Sequence, residues 1–392
     1  MVNAVPIARL AGAALLALVL TSPLALAQHA MGGARPSLGA SAAFAGDGRL
    51  WMVDAADQQV RVRHSDDLGA TWSAPVAVNA EPEPVAADGD SRPKIAIAPN
   101  GTLHVTWTQP LPKPYTGIIR FSRSLDGGAT WSRPITVHAD RQEITHRFDA
   151  ITVTDDGTVF VVWIDKRDQE RAKATGAPYR GAAVYFAVSD DNGASFRGDY
   201  RVADHSCECC RIALLVDGDG VLALWRHVFE PNLRDHALAR LNPDGSAEPM
   251  RRATFDDWAI DACPHHGPSL ARDGHGHLHA VWFALGPRDP GVSYGRLVDG
   301  RVEGQRRIGG ARAEHADLAV AGDAIAIVWR EFDGEVMRLN ALRSDDGGAT
   351  WREQAVAQTT DVADQPKVLV REGRFHAFWN LRGQPPQVLP LP

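Results

Sequence analysis

Residues 124–131 read Ser124-Leu-Asp-Gly-Gly-Ala-Thr-Trp131, and the chain returns to this octapeptide three more times. Residues 65–72 read S-D-D-L-G-A-T-W, residues 344–351 read S-D-D-G-G-A-T-W, and residues 189–196 read S-D-D-N-G-A-S-F. The shared pattern, S-x-D-x-G-x-[TS]-[WF], fits the tip of a tight β-hairpin. Its Asp can accept hydrogen bonds from nearby backbone N–H groups, its Gly can take a positive φ, and its aromatic can fold back under the turn. The motif is a folding device, so its carboxylates are not read as catalytic.

Working outward from residues 124–131, a repeating unit becomes visible. Residues 94–98 alternate as a strand, Pro99-Asn-Gly101 turns, and residues 103–107 form a second strand ending in Trp107. Residues 118–122 make a third strand, the octapeptide turns, and residues 134–137 make a fourth. The second-strand Trp returns as Trp163, Trp225, Trp282, Trp329 and Trp379. The first unit has Asp54 there instead, and the two units that begin near Cys207 and Cys263 replace the octapeptide with a plain turn. Four short strands recurring about every 50 residues describe an all-β protein, a β-propeller. Six full units end near Thr360, and a further strand pair follows at residues 367–370 and 374–379. The count is therefore six or seven blades, the seventh needing strands from the N-terminal residues.

The chain has 392 residues, 44% of them hydrophobic, enough for a large core, and no linker interrupts residues 28–392, which are expected to form one domain. A formal net charge of −7 and the lack of a basic run interleaved with aromatics exclude a general nucleic-acid binder. Arg9, the apolar residues 10–20 and Ala25-Leu-Ala27 before Gln28 have the layout of a secretory signal peptide spanning residues 1–27. The expectation is an exported protein, periplasmic or secreted, with no membrane span after cleavage.

In a four-stranded blade the first and third turns share one rim of the disc. The second loop and the crossover to the next blade share the other. The octapeptides are third turns, so function is expected on the opposite rim, where the long loops lie; the longest is residues 165–181. Counting back about fifteen residues from each repeated Trp lands on Arg92, Arg147, the Cys210-Arg211 pair, His266, His315 and Gln365. All four cysteines lie in two stretches, Cys207-Glu-Cys-Cys210 and Cys263-Pro-His-His266, which lead into adjacent blades. Cys207, Cys209, Cys210, Cys263, His265 and His266 are therefore expected to meet at the channel mouth. Thiolates and imidazoles at this density suit copper, as Cu(I), or zinc. Six candidates exceed the four ligands such a site takes, so His265 or His266 is expected to stand behind the ligands. Disulfides are the alternative, since an exported chain with an even number of cysteines favours them.

The four octapeptides resemble the Asp-box, or BNR repeat, of the sialidase-type β-propeller superfamily. That resemblance implies a sialidase-like fold over most of the chain. It also raises an exo-α-sialidase activity, in which three arginines grip the carboxylate of a glycan, a tyrosine aided by a glutamate attacks, and an aspartate serves as acid and base. Arg92, Arg147 and Arg211 are the matching candidates, because a guanidinium fork meets a carboxylate with two parallel hydrogen bonds. The Arg-Ile-Pro motif of those enzymes is replaced here by Ser91-Arg-Pro-Lys94, and none of the five tyrosines sits in a matching local motif. The expected ligand is thus a metal ion or a small anionic or glycan molecule. An interaction scaffold is a third possibility, and it would need an apolar loop face where these loops are rich in Pro and Arg.

Overall fold

The structure is a computed structural model that describes Met1 and residues 38–392. The expected signal peptide lies, apart from its first residue, outside the described residues. Seven antiparallel sheets follow one another along the chain, six of four strands and a last one of three. Strands within each sheet run in chain order, and the first of each is innermost. The innermost strands are Ser41–Phe44, Lys94–Ile97, His146–Val153, Ala213–Asp217, Ser269–Arg272, Ala313–Ala321 and Lys367–Arg371. Each neighbours the next, and the last returns to the first, so the blades close a ring. The protein is a seven-bladed β-propeller. The seventh blade takes its third strand, Gln387–Leu391, from the C-terminal residues rather than from the N-terminus.

Burial explains why the strands differ in pattern. The second and third strands of blade three, Val159–Asp165 and Ala182–Ser189, are buried at every position because neighbouring blades cover both faces. They read as continuous apolar runs. Outermost strands such as Arg352–Thr359 meet water and carry charge.

All four octapeptides form the same hydrogen-bonded cage. In residues 124–131 the buried Ser124 hydroxyl donates to Asp126 Oδ1 at 2.8 Å and accepts from Gly128 N at 2.8 Å. Asp126 accepts from Thr130 N at 2.9 Å and from Thr130 Oγ1 at 2.5 Å. Gly128 has φ +83°, and a Cβ there would lie 2.7 Å from Trp51 of the preceding blade. Each cage thus docks its blade on the one before it. The cages sit between third and fourth strands, whereas residues 207–210 lie in a crossover between blades, on the other rim.

The six repeated tryptophans are fully or almost fully buried. Every one of their indole N–H groups finds an acceptor: Glu83, Asp165, Ser206, Asp256, Glu331 and the Asp364 carbonyl, for Trp107 through Trp379 in order. A buried indole needs such a partner. The acceptors lie in crossovers, at the ends of second strands or, for Ser206, at the end of an outermost strand, so the tryptophans fasten the core to the rim opposite the octapeptides.

One sequence expectation needs refinement. Residues 165–181, read as a long loop, contain the α-helix Arg167–Thr175, closed by Gly176 at φ +70°. The helix is short and polar, buries only Arg167, and so lacks the apolar stripe that would reveal it.

Candidate metal centre

The innermost strands surround a channel holding a cavity of about 370 Å³, to which Asp90, Arg92, Lys94, Arg211, Asp317 and Lys367 contribute. The candidate arginines do not come together there as one clamp. Arg92 lines the cavity, but its guanidinium meets Asp364 with two hydrogen bonds of 2.6 and 2.8 Å. It also donates to the Ala40 carbonyl at 3.0 Å. Arg211 donates to the Pro268 and Ala316 carbonyls at 2.8 and 2.5 Å and faces Asp90 and Asp317 at 3.7 and 3.8 Å. Arg147 lies over the Phe148 ring at 5.1 Å and does not line the cavity. Nor does any tyrosine. Tyr179, Tyr185 and Tyr294 are bonded to Asp204, Asp168 and His279.

Charge in the channel is tightly balanced. Burial works to raise the Asp90 carboxyl, yet the Arg211, Arg92 and Lys367 cations outweigh it and hold it below its ordinary range. Burial, with repulsion from Arg211 next, pulls the Lys367 ammonium down to about 8.

The cysteines do gather. Cys207, Cys209 and Cys210 occupy the crossover that follows the outer strand Arg197–Ser206 and leads into Ala213–Asp217. The Cys207 N–H donates to the Arg226 carbonyl at 2.9 Å, which pins the turn to the middle of blade four. Cys207 Sγ lies 3.8 Å from Cys209 Sγ and 3.7 Å from Cys210 Sγ. All three are buried among Phe148, Ile212 and Trp225, and the half-buried Cys263 packs against the same cluster. All four are free thiols. The spacing is that of hydrogen-bonded thiols, far from the ~2.05 Å of a disulfide.

These thiols are electrically unequal. Hydrogen bonds from Cys209 and then Cys210 favour a thiolate at Cys207; they outweigh its burial, Arg226 and Arg234 add attraction, and the thiol falls well below its ordinary value. Burial, joined by the bond to Cys207, pushes Cys209 well above. Burial likewise raises Cys210. A hydrogen bond with Cys209 lowers Cys263, which joins it to the group. Cys207 is poised to carry charge while Cys209 and Cys210 keep their protons, an arrangement that a cation would replace.

The two histidines take different neighbours. His265 turns its ring toward Phe148 with centroids 6.5 Å apart. His266 instead stacks on Phe283 at 4.1 Å and on His315 at 4.2 Å. Side-chain ligand atoms form two groups, each within 4.8 Å internally: Cys207, Cys209 and Cys210 in one, and His266, Glu314 and His315 in the other. Burial, with Arg226 repulsion second, lowers His266 to about 3, so it is a neutral imidazole. Sequence reasoning placed His315 on this rim but missed Glu314, since no spacing signal separates it from the strand it begins.

No protein-family model and no curated protein matches this sequence. Among solved structures, the α-L-arabinofuranosidase Arb93A of Fusarium graminearum, complexed with an iminosugar inhibitor, is 13% identical with a TM-score of 0.48, over 91% of this chain and 94% of that one. The Trypanosoma rangeli sialidase with the inhibitor DANA is 9% identical with a TM-score of 0.47, over 90% of this chain and 54% of that one. A Dyadobacter fermentans protein of unknown function is 14% identical with a TM-score of 0.46, over 91% of this chain and 95% of that one. Sialidases thus stand among the structural neighbours. The propeller itself rests on the strand pairing, and no activity passes from these proteins to this chain. Among the described residues no helix is long and apolar enough to cross a membrane.

Proposed function

We propose that this chain is an exported propeller that holds a thiophilic metal ion, Cu(I) or Zn(II), on its crossover rim. Cys207, Cys209 and Cys210 are the ligands, with Cys263 as the fourth. The observation that carries the reading is the sulfur spacing of 3.7 and 3.8 Å. A metal at ~2.3 Å from each sulfur in a tetrahedral site separates the sulfurs by about 3.8 Å. The apolar surroundings keep water out, and Arg226 and Arg234 favour the negative charge that a thiolate set carries. Export, supported by the N-terminal sequence, strengthens the argument. In an oxidising compartment, clustered thiols persist as thiols when a metal holds them.

Bound metal would need the thiols deprotonated, so affinity should rise with pH, Cys207 losing its proton first. The test is elemental analysis of the full-length protein recovered from the exported fraction, with a thiol count before and after denaturation. One equivalent of copper or zinc, lost in Cys207→Ser and Cys209→Ser, is the expected result. Two intact disulfides with no metal would overturn it.

A second reading, an exo-α-sialidase, draws on Arg92 and Arg211 sharing one cavity with Asp90 and Asp317. It lacks a tyrosine at the cavity, and both guanidinium groups already bond to the chain itself. Absence of turnover of a fluorogenic sialoside by wild-type protein, from acid to neutral pH, would remove it.

A further inference from the structure

We infer that His266, Glu314 and His315 form a second metal site, separate from the thiols and suited to a borderline divalent ion such as Zn(II) or Cu(II). Two imidazoles and a carboxylate are the donors such ions take, where thiolates select softer ones. The three side chains come from two adjacent blades. His266 lies in the crossover into blade five, three residues beyond Cys263, and the other two open the innermost strand of blade six, Ala313–Ala321.

Neighbouring residues on a regular strand point to opposite faces, so Glu314 and His315 should diverge. They converge because the pairing of this strand slips between Glu314 and Asp317. His315 sits in that bulge at φ +53°, a conformation that a residue with a Cβ rarely adopts. Blade three uses the same backbone device, with Phe148 at φ +55° beside a register shift, but fills it with an apolar ring packed among the cysteines. In blade six the equivalent bend delivers a ligand. Strain at a non-glycine position that brings two donors together is the kind found at binding sites.

The donors are held and short of partners. Arg330 donates to Glu314 Oε1 at 2.9 Å and to the Ala363 carbonyl at 2.7 Å, which fixes the carboxylate. The other oxygen, Oε2, faces His315 Nε2 at 3.8 Å. His315 is only 9% exposed, and the Nδ1 atoms of both His315 and His266 are buried with no hydrogen-bond partner. Buried polar atoms are normally satisfied, and an orphan pair on stacked rings calls for a ligand. All three ligand atoms already lie within 4.8 Å of one another.

The two sites share scaffolding but no ligand. Arg226 accepts from the Cys207 N–H through its carbonyl and donates from Nη2 to the His266 carbonyl at 2.9 Å. The site is independent of the thiol reading, and one titration separates them. Metal-free, reduced full-length protein would be titrated with Co(II), following calorimetry and the near-ultraviolet thiolate-to-metal charge-transfer absorption together. Two equivalents are expected, only one of which brings that absorption. Glu314→Gln and His315→Gln should each weaken the silent equivalent at least tenfold and leave the absorbing one unchanged. Wild type binding a single, absorbing equivalent would overturn the inference, as would a silent equivalent that both variants retain. A silent equivalent lost in the variants, with no absorption at any stage, would support this site and count against the thiol centre alone.

Discussion

Asp364→Asn removes one charge from the place where blade seven meets blades one and two. The Asp364 carboxylate takes both arms of Arg92 and accepts from the Ala40 and Gln365 N–H groups at 3.3 and 2.7 Å. The two charged side chains are 5% and 3% exposed, and this decides the magnitude. An exposed pair would be worth under about 1 kcal/mol. Here the substitution strands a buried guanidinium among carbonyls, so the expected loss is about 3–5 kcal/mol. Asn keeps the shape and can still accept from Gln365, so the loss is one of charge rather than of packing. Each kcal/mol moves the Tm of a chain this long by under about 2–4 °C, giving a fall of roughly 5–10 °C. Calorimetric melting of both proteins at neutral pH is the assay. The double replacement Arg92→Met with Asp364→Leu should recover much of the loss, because neither charge is then left alone. A Tm for Asp364→Asn within about a degree of wild type, against the several degrees expected, would refute the reasoning. So would a double variant as unstable as the two single losses added.

Further outcomes follow from other parts of the ring. Hydrogen bonds from Thr71, Thr130 and Thr350 hold Asp67, Asp126 and Asp346 at about 2, and Ser195 and Ser189 do the same for Asp191 against its burial. Because these values lie below the ordinary 3.8, the stability they give is complete above it and is lost as pH falls through 2. Melts taken between neutral and strongly acid pH should show this decline, and Asp126→Asn should flatten it. Lys367 should titrate near 8 rather than its ordinary 10.5, so the unfolded chain binds more protons in that window and stability rises with pH across it. Carbon-13 NMR of the methylated side chain reads the midpoint directly, and a value near 10.5 would contradict the channel electrostatics. Gly128→Ala adds a Cβ 2.7 Å from Trp51, whereas Gly127→Ala meets nothing within 4 Å. Both positions have positive φ, so both substitutions should destabilise, Gly128→Ala by clearly more than about 1 kcal/mol. Urea unfolding that ranks them in reverse order would be the contrary result.

What the sequence disclosed depends on how local the physics is. The octapeptide closes its hydrogen bonds within five residues, so composition alone announces it. The repeated Trp is equally plain, and together they settle the propeller and its rims. The third strand of blade seven was hidden because it is short and carries Pro390, which reads as a break; on an edge strand a missing N–H costs little. Arg92 looked free to grip a ligand because its partner, Asp364, lies 272 residues away and arrives only when the ring closes. The gathering of cysteines was legible from two stretches leading into adjacent blades. The grouping of His266 with Glu314 and His315 was not, since a bulge in the strand sets His315 beside Glu314, and register slips leave no mark in composition.

The indole tethers bear on how strongly this rim can bind anything. Trp225 holds Ser206, the residue before the cysteines, and Trp379 holds the Asp364 carbonyl that precedes Gln365. Trp282 holds Asp256 on the way to Cys263. A ligand arriving at a loose loop must first order it, and each immobilised side chain subtracts roughly 0.5–1.5 kcal/mol from affinity. Here core residues have already done that ordering during folding. Association at the crossovers should therefore be governed by the chemistry of the donors, with a small entropic penalty and little change in shape.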